Sequence, residues 1–520
     1  MARRPNFLVF VTDQQRADWL GCYGHPTLRT PNIDALAARG TRFDDFHVAM
    51  PVCMPNRASL LTGRYPSVHG LRYNGCILSE RANTFVEVLA ASGYRTAAIG
   101  KSHLQPFTGQ PPKGQLRAET GPIEEAWKPD PVTYEEEEPD TYSSDQPYAI
   151  RTPYYGYQHV EMVTGHGDRC GGHYGQWFRR RHENWRELHD PANELPHNYK
   201  CPQAYRTPVP EESYPTAWIR DRASDWLRAQ AGEEDPFFSF VSFPDPHHPF
   251  NPPGRYWSMY EPDQFEVALP YEAHRNPPPP LRYLRDRWER NVPEEISQAA
   301  FYADEQALRE AMALTAGMTT MIDDAIGDVL AALEDSGRAE DTIVIFTSDH
   351  GDYLGDFNLL LKGALPLPAI TRVPFIWADP KDPVPRTCGN LASTIDIAST
   401  VLEKADIKPY WGMQGHSLVD SIGGGEGPRS SLLIEHHDGG ARMGFNEPAR
   451  VRCLLTDRWR LTLYKDQDWG ELYDRQNDPQ ETLNLWDDPE HVSVRSELTE
   501  RLVHMMMNTM EESPRATRLA

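Results

Sequence analysis

The chain of 520 residues carries 52 Lys and Arg against 76 Asp and Glu, a formal net charge of −24. This balance excludes a general nucleic-acid binder, which presents a basic face, and argues against docking on an anionic membrane. A small anionic substrate stays compatible with it, because a local basic pocket can oppose the overall sign. The length predicts one large domain with a smaller partner domain, or two or three domains.

Targeting and redox signals are absent from the sequence pattern. No apolar stretch reaches the roughly 18 residues of a membrane span. The apolar run that opens the chain, Phe7–Asp13, is too short for the core of a signal peptide. The seven cysteines are dispersed, odd in number and without a Cys-x-x-Cys pair, which indicates neither a disulfide framework nor a zinc ribbon. We therefore expect a cytoplasmic protein with no membrane partner.

In chain order, short apolar runs alternate with helical patterns, which is typical of an α/β domain with a mostly parallel sheet. Asn6–Thr12 predicts a buried strand. A helix is expected at Thr30–Arg39, with Thr30 as its cap and Gly40 as its stop. Further strands are predicted at Arg95–Ile99, Pro236–Phe243, Thr342–Thr347 and Val373–Trp377, and further helices at Asp304–Ser336 and Leu391–Lys404.

Two segments look inserted, at about 105–215 and at 251–280, and both are predicted as long loops because they are rich in proline. The acidic run Glu135–Glu138 inside the first is interpreted as a solvated surface. After about residue 425 the runs RVRCLLTD, WRLTLYK and GELYD predict a small antiparallel sheet, closed by a helix at Val492–Met507. We therefore expect a catalytic domain over 1–425 and a smaller domain over 426–520.

Polar residues follow four of the predicted strands, at the point where each strand ends. In open α/β sheets ligands bind outside the carboxyl ends of the strands, so these side chains are expected on one rim. The alternative for a single aspartate is a turn cap, and for the paired histidines a turn in the proline-rich segment PDPHHPF. The residues concerned are Asp13 and Gln14, Lys101 and His103, His247 and His248, and Asp349 and His350, followed by Lys362.

This rim combines two kinds of chemistry. Its carboxylates, its amide and the imidazole of His350 are donors for a divalent cation. Its lysines, together with His103 and His247, suit a tetrahedral anion and general acid–base catalysis. The residue set therefore predicts a metal-assisted reaction on an anionic substrate.

The segment PVCMPNRASLLTGR is the most specific motif of the chain. Cys53 precedes Pro55 and Arg57, and Arg57 is expected to open a helix over ASLLTG. The N-terminus of a helix attracts anions through its free N–H groups, and a cysteine there is commonly a nucleophile of low pKa. The alternative is a buried cysteine that precedes a helix.

The run CMPNRASLLTGR resembles the signature of the formylglycine-dependent sulfatases, which belong to the alkaline phosphatase superfamily. The segments VTDQQRAD, TPNIDALAARGTRF, IGKSHL, FPDPHHPF and FTSDHGDYLGD are similar to family segments in the same order, as is ELYDRQNDPQETLNLWDDPE near the C-terminus. The resemblance implies an alkaline-phosphatase-like core, a mostly parallel sheet between helices, with a small C-terminal antiparallel sheet plus helix. It also implies a sulfuric ester hydrolase of the arylsulfatase type.

The resemblance implies a role for each motif residue. Cys53 would become Cα-formylglycine, whose hydrate attacks the sulfur and then eliminates sulfate. Arg57 would hold the formylglycine oxygen, and His103 would remove the proton that drives the elimination. His247 would protonate the leaving alcohol, with His248 as the alternative acid. The implied metal ligands are Asp13, Gln14, Cys53, Asp349 and His350, and the implied substrate-binding residues are Asn74, Lys101, His247, Lys362 and Gln14.

The motif residues define the substrate class less sharply than they define the catalytic residues. The pair Asp13–Gln14 with Asp349–His350 resembles the choline-sulfatase and phosphonate monoester hydrolase branches, and Asn74 resembles a pocket residue of the latter. The pair Lys101 and His103 is that of sulfatases. We favour sulfate esters, with side activity on phosphonate monoesters and phosphodiesters. The alternatives are a phosphonate monoester hydrolase or phosphodiesterase and an inactive metal-binding scaffold.

The resemblance also implies cofactors and partners. The metal is expected to be Ca²⁺, with Mn²⁺ or Mg²⁺ as alternatives, because an imidazole ligand suits manganese. Maturation requires a formylglycine-generating enzyme. The remaining expected partners are a small sulfate ester and further copies of the chain, as a dimer or tetramer.

Overall fold

The computed structural model describes residues 4–110, 128, 130–292 and 298–518. The α-helices of these ranges are α1 Pro31–Ala37, α2 Cys53–Thr62, α3 Pro66–His69, α4 Phe85–Ala91, α5 Gly172–Arg181, α6 Trp185–Leu188, α7 Pro215–Arg228, α8 Pro279–Glu289, α9 Glu305–Asp335, α10 Pro368–Thr371, α11 Asp396–Lys404, α12 Val419–Ile422 and α13 Val492–Asn508. None of these helices combines the length and hydropathy that a membrane span requires.

The strands of the same ranges form one large sheet and three smaller ones. They are β1 Asn6–Thr12, β2 Thr41–Phe43, β3 Phe46–His47, β4 Arg95–Lys101, β5 His159–Thr164, β6 Phe237–Ser242, β7 Phe301–Tyr302, β8 Thr342–Ser348, β9 Leu359–Leu360, β10 Phe375–Ala378, β11 Arg386–Cys388, β12 Ala392–Ser393, β13 Ser431–His437, β14 Arg450–Thr456, β15 Trp459–Tyr464 and β16 Gly470–Asp474.

The large sheet has the order β11-β2-β10-β8-β1-β6-β4-β5. Only β10 runs against its neighbours among these eight strands, so the sheet is mostly parallel. The central strand β1 is buried along its whole length, as the continuous apolar run NFLVFVT predicts for a strand covered on both faces. This arrangement brings the carboxyl ends of β1, β4, β6 and β8 to one edge.

Helices cover both faces of the sheet. Alternate residues of a strand point to opposite faces, so Phe7, Val9 and Val11 pack with α2, α4 and α11 on one side. Leu8 and Phe10 pack with α1, α7 and α9 on the other side. The fold is therefore the expected α/β sandwich.

The C-terminal part forms an antiparallel sheet in the order β13-β14-β15-β16, and α13 packs against it through Leu498 and Leu502. The sheet contacts the site region directly, because the backbone N–H of Glu435 donates to the carbonyl of Ala49 at 2.9 Å. The division of the chain at residue 425 stays a prediction.

Several predicted elements differ from the structure. Thr30 does not cap α1 with its side chain; its hydroxyl donates to Asp34 Oδ1 at 3.0 Å. The helix predicted to begin at Leu391 begins at Asp396, because Ala392–Ser393 pairs with β3 as a strand. The segment 105–215 is not all loop, since it supplies β5 and three helices that begin within it, α5 to α7. Strand β13 was not predicted.

Candidate active site

The side chains predicted to share one rim do converge at the carboxyl edge of the large sheet. Asp13 follows β1, Lys101 ends β4, and Asp349 follows β8. The backbone N–H of Asp13 donates to the carbonyl of Asp245 at 3.0 Å, and that of Asp349 donates to the carbonyl of Thr12 at 3.1 Å. The side chains of these strand ends are buried, so their charges interact through protein rather than through water.

Cys53 lies at the first position of α2 and is 1% exposed. Its Sγ is 3.1 Å from His350 Nε2 and 3.7 Å from Asp13 Oδ1. The helix therefore begins at Cys53, one turn before Arg57, which was expected to open it. This placement puts the sulfur at the positive end of a helix and against an imidazole and a carboxylate.

The donor atoms of Asp13, Cys53, Asp349 and His350 lie within 4.8 Å of one another, so they could hold a metal ion. His350 Nδ1 donates to the carbonyl of Gly351 at 2.8 Å, which leaves the Nε2 lone pair facing the group. Burial lowers the pKa of His350 to about 4, so its ring is neutral at pH 7. Its Nε2 lies 3.5 Å from Asp13 Oδ1 and 3.7 Å from Asp349 Oδ1. Two carboxylates that face a neutral ring nitrogen form a donor set for a cation.

Arg57 is 2% exposed and braces this donor set. Its Nε donates to Asp349 Oδ2 at 2.7 Å, and one terminal nitrogen donates to the carbonyl of Lys101 at 2.9 Å and to Ser242 Oγ at 2.8 Å. The other terminal nitrogen has no hydrogen-bond partner among the described residues and is 3.9 Å from Asp13 Oδ2. One strong donor thus remains available at the site.

Two lysines bring positive charge to the site. Lys101 Nζ contacts Asp13 Oδ2, and this ammonium holds the pKa of Asp13 well below 3.8 although burial opposes it. Lys362 Nζ donates to Gln14 Oε1 at 2.5 Å and lies 3.0 Å from His247 Nε2. A chain of net charge −24 therefore carries a local group of cations at this rim.

Gln14 has a left-handed backbone, with φ of 66°, and joins several of these groups. Its backbone N–H donates to Asp349 Oδ1 at 3.1 Å, and its side-chain nitrogen donates to Asp352 Oδ2. Asp352 was not among the predicted residues, although it lies in the motif FTSDHGDYLGD, and burial raises its pKa to about 6. These contacts fix the Gln14 oxygen towards Lys362.

His247 and His248 are both buried and their rings stack, with centroids 4.0 Å apart. His247 Nδ1 donates to the carbonyl of His248 at 2.5 Å, and its Nε2 faces Lys362. Burial, together with the nearby histidines and Lys362, holds the pKa of His247 well below its usual value. His248 Nδ1 faces the side-chain nitrogen of Gln14 at 3.2 Å.

His103 is held by a residue of the acidic run, which corrects the interpretation of that run as a solvated surface. Glu137 is 0% exposed, and its Oε2 accepts from the backbone N–H of His103 at 2.9 Å. His103 has a left-handed backbone, with φ of 61°, and its ring stacks on Phe107 with centroids 4.1 Å apart. Burial and the charge of Lys101 hold the pKa of His103 well below its usual value.

Two further residues complete the site. Asn74 is exposed, and its Oδ1 accepts from the backbone N–H of Met54 at 3.2 Å, so it lies beside the start of α2. His166 was missed by the sequence analysis, yet its Nε2 lies 2.6 Å from Lys101 Nζ. No motif marked it, because it lies in the segment predicted as a long loop.

Comparison with known proteins identifies the class. The sulfatase family model matches residues 5–407, and the model of the C-terminal part of N-sulphoglucosamine sulphohydrolase matches 367–508. The chain is 30% identical to the uncharacterized sulfatase YidJ of Escherichia coli (strain K12), over 97% of this chain and 87% of that protein. It is 27% identical to an arylsulfatase of Clostridium perfringens, over 94% of this chain and 91% of that protein.

The fold agrees with these matches. The phosphonate monoester hydrolase of Agrobacterium radiobacter superposes with a TM-score of 0.75 at 23% identity, covering 98% of this chain and 97% of that chain. The protein is a hydrolase with an alkaline-phosphatase-like fold. The chain belongs to the sulfatase family.

Proposed function

We propose that this enzyme hydrolyses sulfuric esters with a formylglycine made from Cys53, beside a bound divalent cation. The observation that supports this most is the position of Cys53 at the start of α2, 3.1 Å from His350 Nε2 and 3.7 Å from Asp13 Oδ1, with the buried Arg57 nearby. A cysteine that served only to fill the core would need neither the lysines nor the buried arginine around it.

Asp13, Asp349 and His350 would hold the cation, together with Cys53. Gln14 would join them by turning its side-chain oxygen, which accepts from Lys362, towards this group. The fit rests on the neutral ring of His350, whose lone pair faces two carboxylates. Ca²⁺ suits the oxygen donors, whereas the imidazole of His350 makes Mn²⁺ an alternative; Mg²⁺, which also takes oxygen donors, is the other alternative. When bound, the cation supplies Lewis-acid activation of the attacking oxygen.

The modified Cys53 would provide a geminal diol, which can release sulfate by elimination. The unpartnered terminal nitrogen of Arg57 would donate to an oxygen of this group. His103 lies near Lys101 and would accept a proton during the elimination, for which its low pKa keeps the ring neutral.

Lys101 and Lys362 would bind the sulfate oxygens and stabilise the charge that develops on the transferring group. His247 would protonate the leaving alcohol through Nε2, the nitrogen that lies 3.0 Å from Lys362 Nζ. A bound anion would raise the low pKa of His247, because it opposes the nearby positive charges. Gln14 and Asn74 would contact the substrate at the edges of this group.

A second candidate substrate class is phosphonate monoesters or phosphodiesters. It is supported by the pairs Asp13–Gln14 and Asp349–His350 and by the structural similarity to a phosphonate monoester hydrolase. We favour sulfate esters because Lys101 and His103 form the sulfatase pair. The experiment compares kcat/KM for p-nitrophenyl sulfate with that for p-nitrophenyl phenylphosphonate, in metal-loaded protein made with the maturation enzyme.

A higher kcat/KM for the sulfate supports the proposal, and a higher value for the phosphonate selects the second candidate. Cys53→Ala provides the control, because it removes the nucleophile at the start of α2. If the matured wild type hydrolyses neither ester, the remaining alternative is an inactive metal-binding scaffold.

The same proposal includes the location, the maturation and the oligomeric state of the enzyme. None of the seven cysteines is paired in a disulfide among the described residues, which supports a reducing, cytoplasmic location. The modification requires a formylglycine-generating enzyme as a partner. Exposed apolar side chains on and just after α13, among them Val503, Met507 and Met510, support a contact between copies in a dimer or tetramer.

A further inference from the structure

We propose that His166, which lies between β5 and α5, positions both Lys101 and His247 for the reaction. The inference rests on the proposed function, because it takes Lys101 as a ligand of the sulfate oxygens. It assigns a role to the described part of the segment 105–215, which supplies the side chain of His166 to the site.

The first observation is the environment of the Lys101 ammonium. This group has three N–H donors and no acceptor. One donor reaches Asp13 Oδ2, and a second reaches His166 Nε2 at 2.6 Å. His166 therefore accepts through Nε2 and carries its hydrogen on Nδ1. With two of its donors fixed in this way, the ammonium directs the third towards a substrate oxygen.

The second observation is the stacking of His166 on His247. The two ring centroids are 3.6 Å apart and the rings are nearly parallel, at 11°. His247 also stacks on His248, with centroids 4.0 Å apart. The neighbouring rings fix the plane of His247, and therefore the direction in which its Nε2 points.

The third observation is that the backbone around His166 is fixed by a short turn. His166 lies between Gly165 and Gly167, which have φ of 82° and 62°. A Cβ atom at Gly167 would lie 2.9 Å from Pro249 Cγ and 3.0 Å from the side chain of Asn251, so a larger residue would force the turn away.

Further contacts tie this turn to the segment that carries His247. Asp168 accepts from Asn251 Nδ2 at 2.9 Å and from the hydroxyl of Thr207 at 2.6 Å. Asn251 Oδ1 in turn accepts from the hydroxyl of Tyr214 at 2.9 Å. Because these groups are buried, the positions of His166 and His247 are set together.

Two substitutions separate the two contacts of His166. His166→Phe keeps a flat ring over His247 but removes the acceptor for Lys101, whereas His166→Gln keeps an acceptor but removes the ring. His159→Phe is the matched control, because His159 lies in β5 of the same segment and its side chain is 44% exposed. Each variant is assayed for kcat and KM on sulfate esters with good and poor leaving groups, and for the Kd of inorganic sulfate.

We expect His166→Phe to weaken sulfate binding and to lower kcat/KM by about 10- to 100-fold, the factor that a hydrogen bond to a charged group contributes. His166→Gln should bind sulfate within about threefold of the wild type, a difference below the tenfold step of 1.4 kcal/mol. It should lose kcat on esters with poor leaving groups, because His247 is no longer held. His159→Phe should match the wild type.

Unchanged sulfate binding and kcat/KM in a folded His166→Phe would overturn the role at Lys101. Equal kcat losses on both ester types in His166→Gln would overturn the role at His247, and so would no loss at all. If His166→Phe does not fold, the leaving-group dependence of His166→Gln decides the inference. A wild type that hydrolyses no sulfate ester refutes the proposed function instead, and sulfate binding then still tests His166.

Discussion

Glu137→Gln tests whether a buried carboxylate holds His103 in its working conformation. Glu137 Oε2 accepts from the backbone N–H of His103 at 2.9 Å. Its Oε1 accepts from the N–H groups of Leu104 at 2.8 Å and Gln105 at 3.1 Å, and from the hydroxyl of Tyr154 at 2.6 Å. Burial raises the pKa of Glu137 because the charged carboxylate loses its hydration. The four hydrogen-bond donors act in the opposite direction and stabilise the carboxylate.

The size of the effect follows from these contacts. A glutamine oxygen at the position of Oε1 keeps three of the donors, while its amide nitrogen then faces the N–H of His103. One buried donor without a partner costs about 1–3 kcal/mol. The left-handed backbone of His103 also loses its support, so kcat should fall beyond what the lost stability explains.

The assay is guanidinium unfolding followed by far-UV circular dichroism, together with kcat measured on folded protein. Glu135→Gln is the matched control, because Glu135 lies in the same acidic run and is exposed. It should change the free energy of unfolding by no more than about 0.5 kcal/mol. Equal free energies of unfolding and equal kcat in the two variants would show that Glu137 does not hold His103 in place.

The other predictions concern the metal, the acid and the pH dependence of stability. Asp349→Asn should lower metal affinity, and metal content that is unchanged after dialysis, measured by atomic emission, would remove Asp349 from the ligand set. His247→Ala should lower the rate on esters with poor leaving groups by about 10²–10⁴-fold and the rate on activated aryl esters less. Equal losses on both would transfer the acid role to His248. Burial raises the pKa of Asp245 from 3.8 to about 7, so the folded protein binds this proton more tightly than the unfolded chain does. The stability that the protonated residue contributes is therefore fully present below about pH 4 and is lost as the pH rises through 7. Asp245→Asn should make the free energy of unfolding less dependent on pH over that range. Thermal melts that show the same pH dependence in the variant and the wild type would contradict the raised pKa of Asp245.

The position of the site could be predicted from the sequence because it depends on local signals. The run Asn6–Thr12 is apolar throughout, and the structure has a strand with the same bounds. Parallel strands share one carboxyl edge, so Asp13, Lys101 and Asp349 meet although they are distant in sequence. To predict that these side chains lie close together, it was enough to locate the strands and to recognise that the sheet is parallel.

The segment 105–215 could not be interpreted in this way, because its contacts are tertiary. His166 lies 65 positions from Lys101, and Glu137 lies 34 positions from His103. The four glutamates of the acidic run look alike in sequence, and only the backbone N–H groups that surround Glu137 make its burial favourable. The composition of the segment predicted exposed loops, whereas in the structure both His166 and Glu137 contact residues of the site.

The boundaries of elements were also decided by pairing. The helical pattern of Leu391–Lys404 continues through Ala392–Ser393, but these two residues pair with Phe46–His47, so the helix begins later. Strand β13 carries the same kind of apolar run as its neighbours and could have been predicted. Such differences shift the ends of elements without moving the site.

The proposed conversion of Cys53 is tested most simply by the mass of the tryptic peptide 43–57, which contains this residue. We expect a mass about 18 Da below that of the thiol peptide in protein from a host that matures sulfatases, because a carbonyl oxygen replaces the thiol and one hydrogen. A peptide that keeps the full thiol mass, in a preparation that hydrolyses sulfate esters at full rate, would contradict the proposed conversion.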